Sequence, residues 1–215
     1  MNLVFLGPPG AGKGTMAAMV QKDYSIPHIS TGELFRRAIK NKTSLGLKVQ
    51  ELIEKGNLVP DDLTISMVQE RLQEKDAKKG FILDGFPRTI VQAEALEKIS
   101  NLRKVIDFYV SEDVIIKRLS GRRSCRNCGA IYHVDFLPPK RENICDKCGG
   151  ELYTRKDDTQ ESILNRLSVY QHETAPLIAY YSNKKLLKAI DGDGSAEVVY
   201  KRLKAYLDEL FGRVS

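Results

Sequence analysis

The chain is 215 residues long, carries 34 Lys and Arg against 28 Asp and Glu for a net charge of +6, and is 42% hydrophobic and 29% charged. This is the balance of a folded chain with a substantial core, which excludes intrinsic disorder, and no apolar run reaches the roughly 18 residues of a membrane span. The positive charge is dispersed, Trp is absent and no aromatic residues alternate with basic ones, so the excess suits an anionic small substrate better than nucleic acid.

The N-terminus enters an apolar run at once, without a basic leader or a small-residue cleavage site, so a cytoplasmic, reducing location is expected. That run, Leu3–Leu6, reads as a buried strand. It breaks into a loop with Gly7, Gly10, Ala11, Gly12 and Gly14 around Lys13, and a helical pattern follows. Successive backbone N–H groups in such a loop form a concave anion site, and the next helix's N-terminus adds positive partial charge. Lys13 then reaches the phosphates as a point charge. The strict pattern puts a hydroxyl directly after the Lys, but here Gly14 intervenes and the hydroxyl belongs to Thr15, which argues against direct metal ligation by Thr15.

Further along, a very short strand is predicted at His28–Ser30. Ser30 and Glu33 make a capping box, so a helix should start near Thr31. A second helical pattern spans about Leu45–Lys55 and stops at Gly56, while Pro60 and Asp61 open the next helix. Strands at Phe81–Leu83, Val105–Val110 and Leu186–Ile190 alternate with helical stretches, among them Ile163, Leu167 and Tyr170, in a helix that Pro176 bends. Alternating strands and helices imply an α/β fold whose parallel sheet is covered on both faces, with ligands at the strands' carboxyl ends.

The strand at Phe81–Leu83 ends in Asp84, followed by Gly85, Pro87 and Arg88. A carboxylate there can hold Mg²⁺ or its water shell beside a phosphate loop; capping the turn is the simpler alternative. Arg36, Arg88, Arg122, Arg155 and Arg166 are candidate phosphate ligands, because a guanidinium fork matches phosphate oxygens two at a time. His28, His133 and His172 read as structural, and Tyr170, Tyr180 and Tyr181 as core or core-edge positions.

From about Arg122 to Thr159 the chain loses helical period and becomes rich in Cys, Gly and Pro, which reads as a small β-rich insertion. All four cysteines lie here, as Cys125-x-x-Cys128-Gly129 and Cys145-x-x-Cys148-Gly149, with sixteen residues between the pairs. This is the spacing of a four-thiolate Zn²⁺ site, whose closed coordination makes the metal structural. Disulfides are the alternative, disfavoured by a reducing location; a redox pair lacks the surrounding strand and helix it needs.

Seven motifs in order, GPPGAGKGT, STGELFR at Ser30–Arg36, GFILDGFPRT at Gly80–Thr89, RLSGRR at Arg118–Arg123, YHVDFLPP, TRKDD at Thr154–Asp158 and TAPLIAYY at Thr174–Tyr181, resemble the adenylate kinase family from end to end. The likeness is to its long-lid bacterial type with a four-cysteine zinc lid. It implies a P-loop nucleoside monophosphate kinase fold: a core of residues 1–29, 60–121 and 160–215 around a five-stranded parallel sheet, a helical AMP-binding domain at 30–59 and a zinc-binding lid at 122–159.

The same resemblance implies that ATP lies over Gly10, Ala11, Gly12, Lys13, Gly14 and Thr15, with adenine against Arg118 and phosphates on Lys13 and Arg122. AMP would be held by Thr31, Arg36, Gly85 and Arg88, with Gln92 reading its base. Arg155 and Arg166 would stabilise the transferring group, Asp84 would order Mg²⁺ through waters, and Asp157 and Asp158 match hinge acids of the lid. A monomer acting on ATP and AMP, with neither nucleic acid nor membrane as partner, is expected. The stretch Lys98–Lys104 is shorter than the family pattern. Rivals are GTP:AMP or another nucleoside monophosphate kinase, a nucleotide switch or ATPase, and a zinc-ribbon nucleic-acid binder.

Overall fold

Residues 1–213 are described by a computed structural model; the last two residues of the expected core segment, Val214 and Ser215, lie outside them. Strand β1 (Asn2–Leu6) occupies the middle of a five-stranded parallel sheet. Around it lie β2 (His28–Ser30), β3 (Phe81–Asp84), β4 (Lys104–Tyr109) and β8 (Leu187–Asp191), in the order β2-β3-β1-β4-β8. The five predicted strands are all present, displaced by at most a residue. The short Lys98–Lys104 stretch connects directly into β4, pinned where the Asn2 amide donates to Ser100 Oγ at 3.2 Å and to the Asn101 carbonyl at 2.9 Å.

Period-two alternation divides the sheet cleanly. Leu3, Phe5, Ile82, Ile106 and Phe108 point to one face, where they pack against Ala17 and Val20 of α1 (Lys13–Tyr24) and Leu203 and Leu207 of α9 (Ala196–Phe211). Val4, Leu6, Leu83 and Val105 point to the other face. There they meet Val68 of α4 (Asp61–Leu72), Ala93 and Leu96 of α5 (Ile90–Ile99) and Leu177 and Tyr181 of α8 (Pro176–Asn183). Each such side chain, fully removed from water, contributes about 1.5–3 kcal/mol of transfer free energy. Among the described residues no helix is long and apolar enough to cross a membrane.

Between β2 and α4 the chain forms α2 (Thr31–Lys40) and α3 (Ser44–Glu54), which gather their own cluster of Phe35, Val49 and Val59. Ser30 caps α2 by accepting from the Glu33 N–H at 3.4 Å, and Thr43 caps α3 from Gly46 at 3.0 Å. After α6 (Glu112–Ser120) comes a second, antiparallel sheet. It is built of β5 (Arg122–Cys125), β6 (Ile131–His133) and β7 (Leu152–Tyr153) in the order β6-β5-β7.

One expectation needs correction. The long helix is not simply bent at Pro176: α7 (Gln160–Val169) ends in a five-residue π turn, Tyr170–Thr174, before α8 begins with Pro176. Proline has no N–H and its ring crowds the carbonyl four residues earlier, so the irregularity falls in the turn before it. The Ala175 N–H reaches Tyr170 O at 2.8 Å, the i to i+5 bond of a π turn.

Candidate active site

Register brings the strands' polar ends together. Asp84 is the Cα partner of Phe5 and Ser30, and Asp107 that of Leu6, so two carboxylates flank the start of the glycine loop. Gly12, the N-cap of α1, has φ +91°, a left-handed conformation that L side chains rarely adopt. Lys13 folds back so that Nζ donates to the Gly7 and Pro8 carbonyls at 2.7 and 2.8 Å. Of its three ammonium hydrogens, one is left for a ligand. Burial lowers its pKa to about 8, partly offset by the charge of Asp84, so Lys13 is still mostly charged at neutral pH.

A Cβ on Gly14 would lie 3.5 Å from Asp84 Oδ2 and 3.3 Å from Ile131 Cδ1. The residue that interrupts the strict motif thus faces Asp84 on one side and the second sheet on the other. Asp84 Oδ2 also lies 3.2 Å from His28 Nε2. Burial alone would raise the Asp84 pKa, but the hydrogen bond and charge of His28, with the charges of Lys13 and Arg88, hold it below the usual carboxylate range. For His28 burial acts downward, and the hydrogen bond and charge of Asp84 outweigh it, so its pKa is raised. Asp107 is buried, its Oδ1 has no hydrogen-bond partner among the described residues, and burial raises its pKa.

The arginines come from separate elements. Arg88 Nε donates to the Gly85 carbonyl at 2.9 Å, which Thr31 Oγ1 also reaches at 2.8 Å, tying α2 to the turn after β3. Arg122 of β5 donates Nε to Asp158 Oδ2 at 2.8 Å and pairs with Asp158 Oδ1 through Nη2. Arg166 of α7 reaches Asp157 Oδ2 and Asp158 Oδ1, both at 3.1 Å. Buried Arg155 donates Nε to Ser124 Oγ at 2.7 Å.

Lys13, Arg36, Arg88, Arg122, Arg155 and Arg166 feel one another's charge, set against Asp84, Asp157 and Asp158. Burial and mutual repulsion push the Arg155 pKa down to about 9 and that of Arg166 to about 10. Arg155 and Arg166 thus remain charged at pH 7, and the cleft holds an excess of partly desolvated cations. It is preorganised for a polyanion. Arg118 stands apart: its Nη2 donates to the Gly192 and Gly194 carbonyls at 2.9 and 3.0 Å, at the turn after β8.

The four cysteine sulfurs all lie within 4.8 Å of one another, Cys125 and Cys148 at 3.5 Å and Cys128 and Cys145 at 3.6 Å. None is in a disulfide. A tetrahedral ion with bonds of about 2.3 Å to sulfur places its ligands about 3.8 Å apart, so this cage can close on one ion with small adjustments. Gly129 and Gly149 have φ of +73° and +71°, and their N–H groups return to the Cys125 and Cys145 carbonyls at 3.1 and 2.8 Å. The Cys145 thiol is held below its usual range: burial raises it, but hydrogen bonds from Tyr132, from the 147 and 148 backbone and from Cys128 outweigh that.

Comparison with known proteins agrees with this geometry. The family model described as adenylate kinase matches residues 5–186. The chain is similar to the adenylate kinase of Treponema denticola, 57% identical over 204 residues that cover 95% of this chain and 98% of the relative. It is similar also to that of Archaeoglobus fulgidus, 53% identical over 215 residues covering 98% and 99% of the two chains. A third, from Carboxydothermus hydrogenoformans, is 54% identical over 214 residues covering 97% and 100%.

The chain belongs to the adenylate kinase family.

Several residues that the fold of this adenylate kinase joins to the candidate site residues are not marked as such by its sequence. Asp61 receives Gln92 Nε2 at 2.7 Å and Thr89 Oγ1 at 3.1 Å, while Gln92 Oε1 accepts the Arg88 N–H at 2.8 Å, so the Gln92 amide is oriented before any ligand arrives. Thr174, in the π turn, donates to the Arg88 carbonyl at 2.9 Å. Ser124 is likewise unmarked, and His28, read as structural, lies against Asp84. The available signal was strand parity: His28 and Ser30 share a face of β2, and Ser30 is paired with Asp84. His133 takes the expected structural part, its Nε2 3.0 Å from the Lys117 carbonyl and its Nδ1 accepting the Asp135 and Phe136 N–H groups at 3.0 and 3.1 Å.

Proposed function

We propose that this enzyme transfers the terminal phosphoryl group of MgATP reversibly to AMP, giving two ADP, and thereby balances adenine nucleotides. The observation that carries the reading is the cluster of Lys13 with Arg36, Arg88, Arg122, Arg155 and Arg166, drawn from the loop, α2, the turn after β3, β5, the β7–α7 connection and α7 around one cleft. A cleft for a single triphosphate would not need guanidiniums from both inserted segments.

In this reading residues 1–29, 60–121 and 160–215 form the core, 30–59 the AMP-binding domain and 122–159 the lid. The loop Gly10–Thr15 cradles the ATP phosphates, and Lys13 exchanges its two carbonyls for phosphate oxygens. Arg118 packs on the donor adenine, and Thr31, Arg36, Gly85, Arg88 and Gln92 hold AMP. No general base is required, because the AMP phosphate, with a second pKa of about 6, is largely a dianion at neutral pH. The barrier is the repulsion and misalignment of two polyanions. Arg88, Arg122, Arg155 and Arg166 neutralise that charge, and Asp157 and Asp158 keep Arg122 and Arg166 aimed before substrate binds. Asp84 would hold Mg²⁺ through its waters, which supplies charge neutralisation on the donor phosphates. Closure of the β5–β7 sheet over the loop, where Ile131 is the nearest side chain that a Cβ on Gly14 would meet, excludes water as a competing acceptor.

Cys125, Cys128, Cys145 and Cys148 would hold structural Zn²⁺, in a cytoplasmic monomer. A coupled ADP-formation assay with ATP or GTP plus AMP, GMP, CMP or UMP tests the reading. ATP with AMP is expected to be the fastest pair. A preference for CMP or UMP, or rapid ATP hydrolysis without any acceptor, would overturn it.

A further inference from the structure

Tyr132, in the middle of β6, packs against the cysteine cage. Its ring is buried with Cys125, Cys145 and Leu152 in the small apolar cluster of the insertion. Its phenol oxygen accepts the Asp146 N–H at 2.8 Å and sits 3.5 Å from Cys145 Sγ. With its oxygen accepting the amide, the phenol has its own hydrogen left to give, and Cys145 Sγ is in reach. A metal-bound thiolate carries no proton, so in the loaded protein the bond can run only from O–H to sulfur.

Resting on the zinc reading above, we propose that Tyr132 is a positioning residue of the metal centre, donating a hydrogen bond to the Cys145 thiolate and so strengthening the cage's hold on its ion. Four thiolates on one divalent ion leave a net charge of −2, and the Cys145 sulfur that Tyr132 faces belongs to a buried residue, while Cys128 and Cys148 are exposed. A donor on one sulfur disperses part of that charge and fixes the direction of its lone pairs. The amide of Asp146, one residue past the ligand, holds the phenol in turn, so cysteine, backbone and tyrosine close a small ring. Ile131, the preceding residue in β6, has its Cδ1 3.3 Å from where a Cβ on Gly14 would lie, so the metal's rigidity is carried toward the donor site through two adjacent residues of one strand.

The test compares the full-length protein with Tyr132→Phe, which keeps the ring and loses the donor, after loading both with Zn²⁺ or Co²⁺. Losing a hydrogen bond to sulfur raises the energy of its lone pairs. The sulfur-to-cobalt charge-transfer band of the variant is therefore expected to move to longer wavelength, and zinc release to a chromogenic chelator to speed up about 10- to 100-fold. Replacing Tyr132 with p-aminophenylalanine restores an N–H donor at the same place and is expected to reverse the band shift, which a role in packing alone would not do. A Tyr132→Phe protein with the parent's band and release rate, or one whose faster release comes without a band shift, overturns the inference and leaves the zinc reading intact. A parent protein that takes up no metal overturns both.

Discussion

Among the described residues, sixteen buried side chains cluster on one face of the parallel sheet and thirteen on the other, whereas the β5–β7 insertion gathers four, two of them cysteines. The two regions reach order by different means. The sheet is held by apolar burial distributed over many residues, so no single contact is decisive. The insertion has too little apolar surface to offset the entropy of ordering its chain, and a cage of sulfurs takes the place of a core. The contrast also divides the chemistry. In the proposed reading the region built on burial holds the phosphate loop still, while the region built on a point constraint moves as a unit and brings Arg122 and Arg155 with it.

The contrast is broken most severely by removing the metal that the four sulfurs are proposed to hold. Structural zinc in peptide models is worth about 10–16 kcal/mol of apparent binding free energy, so chelation is expected to expose residues 122–159 to rapid hydrogen exchange while β1, β3 and β4 stay protected. Equal loss of protection in both regions would dissolve the distinction. Next comes Lys13→Ala, expected to lower kcat by about 10³-fold with the melting temperature within about 3 °C of the parent, because the lysine's proposed part is with the ligand and its two carbonyl bonds tie only its own loop. Near-normal turnover would refute its role.

Phe108→Ala, in the sheet's core, is expected to cost about 3–5 kcal/mol and to lower the melting temperature of the whole chain. Leu152→Ala should loosen the insertion and leave the main unfolding transition in place; a calorimetric trace separates the two outcomes. The smallest effect concerns His28. Its pKa is raised in the folded protein, so the stability it adds is full below its ordinary pKa of 6.5 and fades as pH rises through the higher folded value. Without magnesium or nucleotide, the parent should lose on the order of 1 kcal/mol more than His28→Asn between pH 6 and 9. Parallel pH profiles would show that the His28–Asp84 pair does not stabilise the sheet.

The same contrast governs what the sequence disclosed. Buried strands announce themselves as short apolar runs, and the glycine loop and the two cysteine pairs are local patterns whose spacing is itself the chemistry. Each is legible in the sequence alone. Asp61 and Thr174 were not, because nothing in their neighbours says that they will meet Gln92 and the Arg88 carbonyl across the fold. The pairing of Asp157 and Asp158 with Arg122 and Arg166 depends on how β5, the segment after β7 and α7 converge, which no local period records. Pro176 signalled an irregular helix, but local sequence did not say that the preceding turn would widen.

That widened turn also works as an index between two helices. Each residue of an α-helix advances the chain by about 100° around its axis, so Tyr170–Thr174 sets the angular phase between Arg166 and Tyr181. Arg166 faces the acids of the cleft, and Tyr181 is sealed in the sheet's core. Deleting one residue from the turn would mend the helix and leave Tyr181 seated, yet swing Arg166 away from Asp157 and Asp158. The irregular turn keeps one end of the rod pointed at the chemistry while the other stays locked in the fold.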